Sequence, residues 1–317
     1  MIIIGCCGRA GLTLIDYARK FNAMEVQETF YRIVRNDTLS RWRSSLGEGF
    51  HFTMKAFQGV SHPSSSPTWR KFGGTLKGNP SGYGMLRETE EVVNSWRATE
   101  AMASALGAEY VVVQMPQSFA PDEGNLRRIR EFFEDRHGPH RIGLEVRGNA
   151  WMDHADELRE ALKATGITHV TDPLTWLPVY VEGPAYFRLH GRLPRYDYQY
   201  RTEELLRIVE LAKGFHDAYV FFNNMAMVED ATRLASALEG SVHPLPGPEE
   251  RAKLILSSTH VPVDSRLISK RYGYLRVGVK GEPTVGELLK GIGRIEEPRD
   301  LVTALSRRSG GTCSDRS

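Results

Sequence analysis

The chain has little cysteine and no long apolar run. It contains three cysteines, Cys6, Cys7 and Cys313, and an odd number with two adjacent members is neither a disulfide framework nor a CxxC metal site. We expect Cys6 and Cys7 to pack at a strand end, because a reactive thiol would need a neighbouring base that the sequence does not locate. No window approaches the ~20 apolar residues of a membrane span, and MIIIGCCG lacks the basic start and the length of a signal peptide. We therefore expect a cytoplasmic protein with no membrane partner.

Several signatures of ligand binding are also missing. No GxGxxG fingerprint follows the first apolar run, no HExxH or DxD pattern occurs, and no RNP or helix-turn-helix signature is present. The first absence argues against a dinucleotide-binding open sheet. The absence of an HExxH or DxD pattern means that no motif supports a divalent metal such as Mg²⁺ or Mn²⁺. A metal site stays an alternative, since carboxylates and histidines could hold one. The net charge of +2 selects no class of partner.

The chain does contain eight short apolar runs with β-branched residues, each of which predicts a strand. They lie at 1–8, 23–30, 51–57, 110–116, 141–148, 168–173, 185–191 and 218–224. Between most of them, apolar residues recur every three or four positions, which predicts amphipathic helices. Several of these helical patterns stop at a glycine that would cap a helix: Gly107, Gly166, Gly214 and Gly240. The connection between the sixth and seventh runs is the weakest of these units, because it predicts no clear helix. Eight alternating units predict a (β/α)₈ TIM-type barrel over residues 1–245, with an open doubly wound sheet as the alternative.

Polar residues mark the carboxyl ends of these predicted strands. Active sites of such barrels lie at those ends, and buried charges are costly unless they are paired or functional. Because the carboxyl ends of all strands of a barrel lie on the same side, these polar residues predict an active or binding site there. The residues concerned are Glu25, Gln27, Glu28, Lys55 with His62 beyond it, Gln114, Glu145, Arg147, Asp172, Arg188, His190, Asn223 and Asn224.

The same segments resemble those of a known family. In order and spacing they are similar to the YecE-like family, also catalogued as domain of unknown function 72, over roughly residues 1–240. The resemblance implies a TIM-type barrel and brings no established reaction; GCCGRAG stands where that family often has a Gly-Thr-Ser-Gly-Trp type segment. The matching segments are MEVQETFYR (24–32), FHFTMKAF (50–57) with His62 after it, VVVQMPQSF (111–119), GLEVRGNAW (143–151), YFRLHGR (186–192) and YVFFNN (219–224). By position, the implied polar mouth comprises Glu25, Lys55, His62, Gln114, Glu145, Arg147, Arg188, His190 and Asn223.

Five residues are candidates for catalysis. Glu145 or Glu25 would activate water, directly or through a metal, and His190 or His62 would protonate the leaving oxygen. Lys55 would pair with one of these carboxylates, bind an anion or act as a nucleophilic amine, and we favour the first two roles. The structural alternative is a layer of paired charges inside the barrel.

Six further residues are candidates for substrate binding. Arginine offers bidentate donors to phosphate or carboxylate, and the Arg- and Tyr-rich loop 191–201 could stack on bases or sugars or simply pack on the rim. The long loop 61–84 is interpreted as a lid or as disorder. Paired asparagines at 223–224 could equally cap a turn. The candidates are Arg147, Arg188, Gln114, Asn223, Arg192 and Tyr198.

These patterns together predict an enzyme acting on an anionic, phosphate-bearing small molecule or nucleic acid, with phosphoester hydrolysis as the leading reaction. A sugar or sugar-acid isomerase or lyase and a non-catalytic ligand-binding barrel are the alternatives. Residues 246–305 are predicted to form a small C-terminal extension or appended domain, and residues 306–317 a disordered tail. The sequence does not predict the oligomeric state.

Overall fold

A computed structural model describes residues 1–191 and 196–238 and, within the remainder, the strands Val263–Asp264 and Arg294–Ile295. The described chain forms two compact units, residues 1–189 with 206–222, and residues 190–205 with those from 223 onward. Apart from those two strands, the predicted extension and tail lie outside the described residues, so the domain boundaries at 245 and 305 stay predictions. No helix in the described part of the chain is long and apolar enough to cross a membrane.

The first unit contains eight parallel strands that form a TIM-type barrel. Neighbouring strands pair in the order β6-β5-β4-β3-β2-β1-β8-β7, and a parallel bridge between Thr171 and Phe187 joins the two ends of that series. The (β/α)₈ prediction is therefore confirmed. The strands are β1 (Ile2–Cys7), β2 (Ala23–Val26), β3 (His51–Lys55), β4 (Tyr110–Gln114), β5 (Arg141–Glu145), β6 (Thr168–His169), β7 (Ala185–Leu189) and β8 (Ala218–Phe222).

Helices connect most of these strands. Helix α7 begins in the second unit and continues in the first, whereas α8 belongs to the second unit, in which β9 (Val263–Asp264) and β10 (Arg294–Ile295) also pair antiparallel. As predicted, residues 170–184 between β6 and β7 contain no helix. The helices are α1 (Leu14–Ala18), α2 (Glu28–Tyr31), α3 (Asn36–Leu46), α4 (Glu90–Leu106), α5 (Glu123–Phe133), α6 (Ala155–Thr165), α7 (Thr202–Lys213) and α8 (Met227–Leu238).

Local sequence explains where several helices end. Gly107 and Gly166 adopt the left-handed conformation at the ends of α4 and α6, with φ of 61° and 62°, which glycine enters without a Cβ clash. Gly214 has no positive φ, so its predicted capping role is wrong, and Gly240 lies outside the described residues. Helices α2, α3 and α8 are additional to the predicted helical patterns.

The second predicted strand is shorter than the apolar run suggests. It ends at Val26, and α2 begins at Glu28. Gln27 and Glu28 therefore do not lie on a strand, as the run 23–30 predicts. The polar residues Glu28 and Gln27 interrupt the apolar run at the point where the chain turns.

Aromatic side chains fill the lower part of the barrel, toward the amino ends of the strands. Tyr110, Tyr186, Tyr219 and Phe221 form a buried cluster with Ile3 and smaller residues, and the rings of Tyr186 and Tyr219 stack with centroids 5.7 Å apart. Burying such side chains contributes about 1.5–3 kcal/mol each. This packed layer forms the floor below the charged residues at the carboxyl ends.

Candidate active site

Arg188 is the centre of an ion-pair network inside the barrel. Its guanidinium on β7 donates to Glu25 on β2 (Nη2 to Oε1, 2.8 Å), to Gln114 on β4 (Nη1 to Oε1, 3.0 Å) and to Glu145 on β5. Its side chain is completely buried. A buried cation of this kind is stable only because two carboxylates pair with it. Predicted residues from four strands thus meet in one network.

Arg147 extends this network toward the solvent. Its Nη2 lies 2.7 Å from Oε1 of Glu145, and its side chain is 16% exposed. Strand β5 ends at Glu145, so the prediction that both residues lie on one strand is wrong, although the pair forms. Because Arg188 occupies the other carboxylate oxygen, Glu145 has guanidinium donors on both oxygens and is a poor base for water.

Both carboxylate oxygens of Glu25 also accept hydrogen bonds, one of them from the aromatic layer below. Its Oε2 accepts a hydrogen bond from the Tyr186 hydroxyl at 2.8 Å, and that hydroxyl also bonds to Thr53 at 2.6 Å. Gln27 donates to the other oxygen. Tyr186 was not among the predicted site residues, although its two-residue spacing from Arg188 places both side chains on one face of β7.

Lys55 differs from the arginines because no carboxylate of a described residue lies within 4.0 Å of its amine. Its Nζ lies 3.6 Å from the ring centroid of Phe30. Burial lowers the pKa of Lys55, and repulsion from Arg188 adds to this effect, which brings the pKa to about 7. The predicted ion pair with Glu25 or Glu145 is therefore wrong, because the arginines hold those carboxylates instead.

His62 lies near Lys55 in the loop after β3. Its Nδ1 is 2.8 Å from the Ser61 hydroxyl, and its ring meets the Phe30 ring edge-on at 5.0 Å. Burial lowers the pKa of His62 to about 3, with further repulsion from Lys55 and Arg147. The imidazole is therefore neutral at pH 7 and can accept a proton, but it carries no extra proton to donate as the predicted acid.

The chain segment that carries His62 is held by an unusual turn. Gly84, Met85 and Leu86 all have positive φ, and Met85 and Leu86, at 64° and 52°, adopt a conformation that is costly for residues with a Cβ. Met85 donates its N–H to the carbonyl of Ser61 at 3.0 Å. Strain of this kind persists only where surrounding contacts fix it.

The long loop 61–84 is folded around one tryptophan. The Trp69 ring contacts Phe57, Phe72 and Tyr83 at centroid distances of 5.7, 5.3 and 5.2 Å. Its Nε1 donates to the carbonyl of His62 at 3.3 Å. The loop thus has a defined structure that backs the histidine, rather than the disorder given as one interpretation.

Most of the remaining predicted residues lie in the second unit or outside the described chain. In the second unit, His190 Nδ1 is 3.1 Å from Asn223 Nδ2, and the Tyr198 hydroxyl donates to Glu204. Asn224 donates to the carbonyl of Tyr198 at 2.7 Å, which fits the turn-capping role. Arg192 lies outside the described residues.

The described residues include no group of three or more His, Cys, Asp or Glu side chains that could hold a metal ion. Asp172 lies in a turn, where its Oδ1 accepts from the N–H of Leu174 at 3.1 Å. The predicted role of Glu145 as a metal ligand does not fit, because guanidinium groups occupy both of its oxygens.

A cavity of about 650 Å³ lies at the opposite, amino end of the barrel, and its lining includes Ile3, His51, Glu109, Arg141 and Tyr219. His51 Nδ1 is 2.9 Å from Glu109 Oε1, and the Tyr219 hydroxyl donates to the same carboxylate. Burial and this carboxylate raise the pKa of Tyr219. The sequence analysis predicts no site at this end, because barrel chemistry is expected at the other.

Comparison with known proteins gives consistent matches. The model of a family described as protein of unknown function DUF72 matches residues 7–252. The UPF0759 protein YecE of Escherichia coli K12 is 25% identical over 167 residues, which cover 51% of this chain and 53% of that protein. The chain thus spans about half the length of the curated relatives that it matches.

Two crystal structures of DUF72 family proteins share the fold. The Enterococcus faecalis protein superimposes with a TM-score of 0.58 at 20% identity, over 78% of this chain and 98% of that chain. The Thermotoga maritima protein gives a TM-score of 0.53 at 24% identity, over 75% and 99%. At these identities the likeness establishes the fold.

Proposed function

The chain belongs to the DUF72 family of proteins of unknown function, and on that premise we propose that it is a hydrolase of phosphoesters. Its substrate is anionic and binds at the carboxyl end of the barrel. One observation carries this proposal. Lys55 is a buried, ionisable amine beside two arginines, and no described carboxylate lies within 4.0 Å of it. A bound anion would supply the missing opposite charge.

The binding roles follow from exposure. Arg147 is the partly exposed guanidinium of the network, so it would hold a phosphoryl oxygen together with Lys55. Arg188 is completely buried and engaged by two carboxylates. Its role is to fix Glu145, which in turn orients Arg147.

His62, rather than Glu145 or Glu25, would act as the general base that activates water. With Nδ1–H donating to the Ser61 hydroxyl, Nε2 would keep a free lone pair and could take a proton from the attacking water. A bound anion would offset the repulsion from Lys55 and Arg147 that lowers the pKa of His62, so the imidazole would become a better base with substrate present.

The test is a turnover screen of the purified protein. Substrates are labelled single- and double-stranded DNA and RNA, bis(4-nitrophenyl) phosphate and 4-nitrophenyl phosphate, each with and without Mg²⁺ or Mn²⁺. His62→Asn should lower turnover by about 100-fold or more, the usual range for loss of an acid–base group. His51→Asn at the other end of the barrel is the matched control and should stay within about twofold of wild type.

No turnover of any phosphoester with any metal would overturn the proposal. Equal loss in both histidine variants, with circular dichroism unchanged, would place the reaction away from His62. The complete absence of turnover would favour a non-catalytic ligand-binding barrel.

A second candidate rests on the amine of Lys55. An amine with a pKa of about 7 is partly neutral at pH 7, and a neutral amine can attack a carbonyl. This supports a sugar or sugar-acid isomerase or lyase as the alternative. Borohydride reduction in the presence of a sugar phosphate would leave a covalent adduct on Lys55 in that case and none for a hydrolase.

A further inference from the structure

We infer that Phe30 is a positioning residue of the proposed site, and that the face of its ring holds the charged form of Lys55 where an anion would bind. The inference rests on the proposed function for the role of Lys55. It adds a residue that acts through Lys55, and it assigns the effect to the π-electrons of the ring, beyond the space that the ring fills.

Two groups of the proposed site contact the Phe30 ring. The Nζ of Lys55 lies over its face, 3.6 Å from the centroid, well within the distance of about 6 Å at which π-electrons attract a cation. The ring of His62 meets it edge-on, with centroids 5.0 Å apart. Phe30 is 1% exposed, so both contacts form away from solvent, where a cation–π contact is strongest.

Helix α2, which carries Phe30, is also hydrogen-bonded to the segment that carries these two groups. The hydroxyl of Thr29 donates to the carbonyl of Lys55 at 2.7 Å. The carbonyl of Phe30 accepts from the N–H of Gln58 at 3.0 Å, and the carbonyl of Gln58 accepts from the N–H of His62 at 2.8 Å. These bonds fix the helix backbone against the end of β3, and so they fix where the ring lies relative to the amine.

The aromatic ring favours an ammonium without carrying a negative charge. Burial lowers the pKa of Lys55, and repulsion from Arg188 and Arg147 adds to this effect. Glu145 and Glu25 act in the opposite direction, but no carboxylate oxygen of a described residue lies within 4.0 Å of Nζ. The ring centroid is therefore nearer to the amine than any of these oxygens. A carboxylate at this position would neutralise the ammonium, whereas the ring leaves its charge available to an anion.

Removal of the π-electrons should make Lys55 harder to charge. A cation–π contact corresponds to roughly half to one and a half pH units in the pKa of the cation. The pKa of Lys55, about 7, should fall by that amount without the ring face. At pH 8 the ammonium would then be about three- to thirtyfold less populated, and the affinity for an anion that needs it should fall by the same factor.

A fluorinated series at position 30 tests the electronic effect while it keeps the shape of the core. Mono-, di- and trifluorinated phenylalanine, introduced by nonsense suppression, withdraw electron density from the ring face in steps. The pKa of Lys55 is measured from the NMR signals of its side chain in protein labelled with isotopic lysine, and Lys55→Met assigns these signals. We expect the pKa to fall with each added fluorine.

Phe30→Leu and Phe52→Leu form a matched pair of ordinary variants. Phe52 is a completely buried residue of β3, and the Cζ of Arg43 lies over its ring at 4.7 Å from the centroid. Its side chain lies on the opposite face of the strand from Lys55, so both variants lose a buried ring and a cation contact. Calorimetry with diethyl phosphate at pH 8 should show about three- to thirtyfold weaker binding for Phe30→Leu. Phe52→Leu should stay within about twofold of wild type.

The outcomes separate this inference from the proposed function. A pKa of Lys55 that does not change along the fluorinated series overturns the inference, whether or not phosphoesters are hydrolysed. An equal loss of affinity in the two leucine variants overturns it as well, because lost packing would then explain both. If wild type does not bind diethyl phosphate at millimolar concentrations, Lys55 has no anion for Phe30 to serve, and the inference is wrong. A stepwise fall of the pKa with binding of the probe, in a protein that hydrolyses no phosphoester, supports the inference and overturns the hydrolase.

Discussion

The two ends of the barrel both place a carboxylate beside a tyrosine, but only one end buries its charges. At the carboxyl end, Glu25 and Arg188 have completely buried side chains. At the amino end, the side chains of Glu109 and His51 are 37% and 24% exposed, although the cavity there measures about 650 Å³. Water can therefore screen the second group and not the first.

This difference shows why volume is a poor guide to the functional end. A large cavity lined by solvated, mutually satisfied groups gains little from a ligand. The carboxyl end holds an amine, Lys55, that burial and two arginines keep near pKa 7. When protonated, this amine has no carboxylate of a described residue within 4.0 Å, so an anionic ligand could neutralise it. For this reason we place the candidate site at the carboxyl end.

The largest loss of stability is expected from Glu25→Gln, at the carboxyl end of the barrel. It leaves the buried guanidinium of Arg188 with one carboxylate, and breaking a buried pair costs about 3–5 kcal/mol. Glu109→Gln is the matched change at the amino end and should cost about 1 kcal/mol or less. Urea denaturation of both variants measures the free energies of unfolding, and equal losses would contradict the contrast between the ends.

A smaller effect of opposite sign is expected from Lys55→Met. The pKa of Lys55 falls from 10.5 to about 7 on folding, so the unfolded chain binds more protons between these values and wild-type stability rises with pH across that window. The shift sets an upper limit of about 5 kcal/mol on the cost of burying the ammonium. We expect Lys55→Met to gain about 2 kcal/mol at pH 6.5 and less at pH 9.5.

Urea denaturation at the two pH values checks this prediction. Lys163→Met, at an exposed position of α6, is the matched control and should show no such pH dependence. A gain from Lys55→Met that is equal at both pH values would mean that Lys55 is not held near pKa 7.

The smallest effect compares two hydroxyl groups. Tyr186→Phe removes the buried hydrogen bonds to Glu25 and Thr53 and should cost about 2 kcal/mol, because an acceptor carboxylate loses a donor. Tyr219→Phe removes the bond to the half-exposed Glu109 and should cost about 1 kcal/mol or less. Thermal or urea unfolding of the pair measures the difference, and a reversed order would be evidence against the contrast.

The sequence predicts the barrel well because strand spacing and barrel topology leave few alternatives. All eight runs contain a strand, and Glu25, Gln114, Glu145 and Arg188 meet as the strand ends imply. Which cation takes which carboxylate depends on distances across the barrel that no local pattern contains. For that reason the sequence pairs Lys55 with a carboxylate, whereas the structure gives both carboxylates to arginine.

Other features had no signal along the chain. The left-handed turn at 84–86 requires Met85 and Leu86 in a conformation that their residue types disfavour, so tertiary contacts must impose it. The neutral state of His62 follows from burial and two nearby cations, which only the folded arrangement creates.

The position of Arg188 in the chain has a consequence for the order of assembly. Its two carboxylate partners, Glu25 and Glu145, precede it by 163 and 43 residues, and its own N–H bonds to Thr171 in the bridge that closes the ring. Until β7 is made, Glu25 lacks its arginine and Glu145 has only Arg147, so the carboxylates remain hydrated, because a charge without its full set of partners resists burial. We therefore expect the first six strands to remain hydrated during synthesis. The barrel should close late, when Arg188 pairs with the carboxylates and water leaves the barrel interior.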